Sequence, residues 1–134
     1  MPDDGDDRGD DSPIGLGLRF SAEDPGLVAV FAPRAEHRGA PGFLHGGVAA
    51  TALDETMAAL SWALDRVHAV TATLELKYRR PVPLDGGPLR IEAWRERPGR
   101  HHFQRVRGRL LLADGSLAVE ARGIFVPAPE AMRR

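Results

Sequence analysis

The chain has no cysteine among its 134 residues, which excludes a disulfide framework and any thiolate metal site. It has no run of about 18 apolar residues, so no segment reads as a membrane span. Aromatic residues are scarce, at 6%, and form no repeated interleaved pattern with basic ones, which argues against a nucleic-acid surface. No G-x-S-x-G occurs, so no nucleophile elbow is indicated. Gly86-Gly87 stands in a PLDGGP turn without a following helix, so no phosphate loop is expected. His101-His102 are neighbours that would point to opposite faces of a strand, and no H-x-x-x-H is present. No metal and no resident cofactor are therefore expected. The opening MPDDGDDRGDDSP lacks the basic and apolar regions of a secretory signal, and the expected location is the cytoplasm.

What is there fits one domain, with 43% hydrophobic and 28% charged residues. The net charge of −1 conceals an uneven distribution. Residues 1–12 hold six Asp against one Arg, whereas residues 77–109 hold ten Lys or Arg against three acids. The first reads as a disordered tail over residues 1–13. The second reads as a solvated basic surface or an anion-binding one. The folded domain is expected over residues 14–127, with a short C-terminal tail at 128–134.

GLGLRF (15–20) and LVAVFAP (27–33) are strand candidates separated by a polar turn, and HRGAPG (37–42) is a loop. From Gly46 or Gly47 to about Leu64 the period becomes helical. Ala49, Leu53, Met57, Leu60 and Leu64 share one face, with Gly47, Thr51, Asp54, Ala58 and Ser61 on the other. No Lys or Arg occurs between His45 and Asp65, so this helix is expected to be wrapped on most sides. VTATLELKYRRPV (70–82) alternates, placing Val70, Ala72, Leu74, Leu76 and Tyr78 on one face before Pro81 ends it. LRIEAWRER (89–97), HFQRVRGRLLLA (102–113) and SLAVEARGIFV (116–126) complete the set, the last two joined by an Asp114-Gly115 turn. Trp62 and Trp94 are expected in the core or an interface. The order ββ-α-ββββ predicts an α+β fold: an antiparallel sheet curved around one helix, the hot-dog arrangement. An open edge of such a sheet is expected to pair with a second copy.

The chemistry gathers around FLHGGVAATALDE (43–55). A helix N-terminus presents unpaired N–H groups and partial positive charge, and glycine lets another molecule approach them. Gly46-Gly47 either serves an oxyanion in this way or merely turns the loop into the helix. Asp54 on an apolar helix loses solvation unless it is paired. Either Thr51 satisfies it locally, or it acts as a general base or nucleophile on the small-residue face. Glu55 points about 100° further round, toward solvent or a subunit contact.

H-G-G, an acid nine positions after the histidine, and a strand ending in Y-R-R-P-V-P resemble the hot-dog thioesterases of the PaaI type, over residues 14–127. The resemblance implies a dimer, or a pair of dimers, hydrolysing an acyl-CoA, with CoA present only as part of the substrate. It implies that the Gly46 N–H polarises the thioester carbonyl, with Gly47 beside it. Asp54 of the other subunit would activate water, held by Thr71 or, alternatively, Thr73. His45 would shape the loop entering the helix. Arg79 and Arg80, with Arg95, Arg97 and Arg100, are the candidates for CoA phosphates. Many relatives carry Asn six residues before the histidine, where this chain has Gly39. Either His37 or a backbone group replaces that contact, or the carbonyl has one donor fewer. The rival readings are a non-catalytic acyl-CoA sensor and a hot-dog dehydratase or hydratase; neither of these releases a thiol.

Overall fold

The computed structural model describes residues 15–96 and 103–129. The acidic segment 1–13, Arg97, Arg100, His101, His102 and most of the expected C-terminal tail lie outside them. Strands β1 (Arg19–Glu23) and β2 (Gly26–Phe31) come first, then a 3-10 turn (Ala35–His37) and one helix, α1 (Gly46–Asp65). Strands β3 (Ala69–Tyr78), β4 (Leu89–Arg95), β5 (Gln104–Leu111) and β6 (Leu117–Pro127) follow. They form one six-stranded sheet in the order β1-β2-β4-β5-β6-β3, with every pair antiparallel. The expected order and layering are those observed.

Alternation builds the core. Leu89, Ile91 and Ala93 of β4, Val106 and Leu110 of β5, and Val119 and Phe125 of β6 are buried beneath Leu53, Met57 and Leu60 of α1. Each such large side chain contributes about 1.5–3 kcal/mol by leaving water. The helix lies so close to β5 that a Cβ at Gly108 would stand 2.9 Å from the Met57 sulfur. Any Cβ there would force the Met57 side chain to shift.

Three expectations about faces are corrected. Leu64 is 53% exposed, while Ser61 is buried in its place, because the last turn presents Ser61 and Asp65 to the sheet. Within one chain α1 is covered on one side only; Gly46, Gly47, Glu55 and Trp62 to Asp65 are exposed. In β3 the register shifts between Thr71 and Thr73, so Ala72 is an extra residue. Thr71 lies opposite Phe125, and Leu74 and Leu76 lie opposite Gly123 and Ala121, all on the helix-facing side. The bulge therefore brings Thr71, not Val70 and Ala72, to the face that carries Leu74.

The outer face of the sheet explains much of the arginine surplus. Glu92 accepts hydrogen bonds from Arg90 and Arg109, each at 2.6 Å. Burial alone would raise its carboxyl pKa, but the two arginines outweigh burial and hold it below the ordinary value. Glu96 similarly takes Arg107 at 3.1 Å and Arg122 at 3.2 Å. Trp94 is on this face, part-buried, with the Arg109 guanidinium 5.0 Å from its ring centre; it is no part of the central core.

Candidate active site

The helix start is built from backbone and one imidazole. His45 is the N-cap, extended at φ −63° and ψ 133°, and its Nδ1 accepts the Gly47 N–H at 2.8 Å. An accepting Nδ1 leaves the proton of a neutral His45 on Nε2. Its carbonyl takes the Val48 and Ala49 N–H groups at 3.0 and 3.1 Å. The exposed Gly46 N–H has no partner among the described residues, while its carbonyl accepts the Tyr78 hydroxyl at 2.6 Å. Burial raises the Tyr78 pKa, which keeps that hydroxyl a donor. Tyr78 is the site residue that sequence reasoning missed. Its place in the Y-R-R-P strand end was visible, but its reach to the helix start was not.

The loop before the helix settles the departure at Gly39. A Cβ there would stand 2.8 Å from the His45 Cα, so this backbone has no room for asparagine or any other side chain. His37 does not replace that contact through its Nδ1. It is buried against Phe31, and its Nδ1 accepts the Arg34 N–H at 2.9 Å. Burial first, and the Arg34 charge second, lower its pKa below 6.5. Its carbonyl holds the His45 N–H at 2.8 Å, so it braces the loop rather than facing a ligand.

Asp54 is half-buried on α1. Thr51 does not serve it, since the Thr51 hydroxyl donates to the Gly47 carbonyl at 2.9 Å. The partner is Thr71, whose Oγ1 donates to Asp54 Oδ1 at 2.6 Å. That bond exists because the Ala72 bulge turns Thr71 inward. Thr73 faces away, onto an outer groove with Glu96, Arg105 and Arg122. Asp54 and Thr71 open on a cavity of about 440 Å³, which exposed Glu55 also lines. Ser61 is absent from this cavity and lines a separate small void with Gln104 and Phe125.

Asp54 and Gly46 are eight residues apart on one helix, about 12 Å along its axis. They are also tied to opposite ends of β3, through Thr71 and Tyr78, which lie opposite Phe125 and Val119 and so stand roughly 20 Å apart along the strand. Of the expected phosphate ligands, Arg79 is ion-paired with Glu120 and Arg95 with Asp65. Arg80 is exposed. Among the described residues no three His, Asp or Glu side chains converge as a metal site would require, and no helix is long and apolar enough to cross a membrane.

This scaffold, with its carboxylate and its open helix N-terminus, is that of the hot-dog proteins. Residues 41–117, more than half of the chain, match the model of the thioesterase superfamily, and the chain belongs to that family. Acyl-coenzyme A thioesterase THEM4 of Mus musculus is 39% identical over 57 residues, which are 42% of this chain and 24% of that protein. The chain thus spans about a quarter of the length of that curated relative. Among solved structures, a phenylacetic acid degradation-related protein of Ralstonia eutropha JMP134 is 29% identical, with a TM-score of 0.73 over 83% of this chain and 85% of that one. AziG of S. sahachiroi is 26% identical, with a TM-score of 0.73 over 84% of this chain and 91% of that one.

Proposed function

We propose that the protein hydrolyses acyl-CoA thioesters at a site shared between two copies of the chain. The observation that carries this reading is the 2.6 Å bond from Thr71 to Asp54 beside an open cavity. It fixes one carboxylate oxygen and leaves the other to accept a proton from water. The Thr71 oxygen, having donated its proton, can accept from that same water. A carbonyl needs its oxyanion donor and its attacking water within about 3 Å of the reacting atoms. One chain holds its own Gly46 N–H and Asp54 much too far apart for that. Antiparallel pairing of the exposed β3 edge with the β3 of a second copy sets each Thr71 end against the other's Tyr78 end. Asp54 of one copy then meets Gly46 of the other, twice per dimer.

In the reaction, Asp54 takes a proton as the water oxygen bonds to the carbonyl carbon. The Gly46 N–H and the helix N-terminus stabilise the oxyanion. Collapse breaks the C–S bond, and the proton passes to the leaving thiolate. The acyl-CoA relative of Mus musculus supports CoA as the thiol. The test is thiol release from an acyl-CoA panel by wild type and by Asp54→Asn. Having no cysteine, the protein adds nothing to a thiol reagent. Loss of a general base should lower kcat by about 10²–10⁴. Full activity in Asp54→Asn would end the assignment, and binding without any turnover would leave an acyl-CoA sensor.

A further inference from the structure

The cavity beside Asp54 runs along the helix rather than across it. Asp54, Ala58, Ala59 and Trp62 follow one another on its helical wall, with Leu18 and Phe20 facing them. The two alanines leave width in the middle, and Trp62 stands at the far end. Trp62 is 40% exposed, yet it is not loose. Its indole stacks on His68, with ring centres 4.5 Å apart and planes 14° from parallel, and the Arg66 guanidinium lies 5.4 Å from its centre. Arg66 sits there because it ends the helix in the left-handed region, at φ 58°. An aromatic pair held in this way is a fixed wall.

We propose that Trp62 closes the acyl pocket and sets the longest acyl chain that the site takes. The inference rests on the thioesterase reading for its substrate. The occupant is the acyl chain rather than the CoA arm, because two carboxylates and no lysine or arginine line the cavity. Phosphates would be repelled there, while Leu18, Phe20 and the alanines suit methylenes. Asp54 and Trp62 are eight residues apart, or about 12 Å. The chain end meets the indole at a contact of about 3.5 Å, which leaves about 8.5 Å; at about 1.2 Å per bond that holds about seven bonds, or about eight carbons counted from the reacting carbonyl. His68 is a positioning residue that holds Trp62 in place.

The experiment uses saturated acyl-CoAs of increasing length in two assays. Turnover by wild type tests the thioesterase reading. Binding to Asp54→Asn, with Trp62 intact or replaced by Ala, tests the wall. With Trp62 present, affinity should rise about fourfold per methylene and stop near eight carbons. With Trp62→Ala the rise should continue past that length, and Trp62→Phe should fall between. His68→Ala should blur the limit without lengthening it as far as Trp62→Ala does. The same stopping length in Trp62→Ala overturns the inference. So does an equal loss at every length, which would place Trp62 on the CoA arm. Binding that follows the expected profile without wild-type turnover overturns the enzyme reading and keeps the wall. Binding of no acyl-CoA overturns both.

Discussion

Proline at position 46 removes one hydrogen-bond donor and almost nothing else. Gly46 is the first residue of α1, where the N–H has no intrahelical partner and proline is favoured. The preceding residue must be extended, and His45 already is, at φ −63° and ψ 133°. A Cβ at position 46 would stand 3.7 Å from the Tyr78 ring, an ordinary contact. The Gly47 bond to His45 and the Tyr78 bond to the Gly46 carbonyl both survive. Replacing glycine by proline also narrows the unfolded ensemble, so stability should hold or rise by about 0.4–1 kcal/mol. Activity should not hold. Losing one oxyanion donor lowers the rate about 10²–10³-fold, and Gly46→Ala, which keeps the N–H, is the control. Thermal melts and thiol release on the three proteins give the answer. A proline variant within a few-fold of wild type would refute the role of this N–H. A proline variant that melts well below wild type would refute the N1 geometry.

Four further outcomes follow from the same contacts. Mixed and refolded together, Gly46→Pro and Asp54→Asn should recover about a quarter of wild-type activity, since half the dimers carry one intact site of two; recovery of none would place both groups in one chain's site. Thr71→Val removes a charged hydrogen bond and should lower kcat/KM about ten- to a hundredfold, while Thr73→Val should not. Gly39→Asn forces a side chain onto the His45 backbone and should cost about 1–3 kcal/mol, read as a Tm lower by roughly 4–12 °C; a stable variant would show that the loop yields. Because burial and Arg34 lower the His37 pKa below 6.5, the unfolded chain binds the extra proton as pH falls; the stability held above that pH is lost below it. His37→Asn, whose Oδ1 can replace the accepting Nδ1, should flatten that slope in melts between about pH 8 and pH 5.

The helix was the most legible element, because a cation-free apolar stretch behind His-Gly-Gly states both where it starts and that it packs. Its faces were legible only where it touches the sheet. The buried stripe follows Ala49, Ala52, Leu53, Thr56, Met57, Leu60 and Ser61. Extrapolating one more turn from Leu60 selects Leu64, but the sheet-facing stripe drifts round the helix: Ser61 and Asp65, not Leu64, line the void against Ala69, Phe125 and Pro127. The apolar residues alone do not report that drift. Gly39 shows the opposite limit. A missing asparagine reads as a lost contact, and only the 2.8 Å approach of the His45 Cα shows that glycine is required for this loop.

Thr71 and Thr73 could not be told apart from sequence for a physical reason. In a regular strand residues two apart share a face, so either threonine would face the helix, or neither. The bulge divides them, and nothing in V-T-A-T-L announces it. Alanine and threonine lie near the middle of any hydropathy ranking, so the alternation reads equally well with Ala72 in register or as the extra residue. What selects the bulged register is tertiary: Thr71 gains Asp54, and Leu74 stays under the helix. The hydrogen bond from Thr71 to Asp54 and the core contact of Leu74 fall on the same face only if the strand gains one residue between them. The candidate site is therefore encoded by α1 and β3 together, and the spacing within either element alone is silent about it.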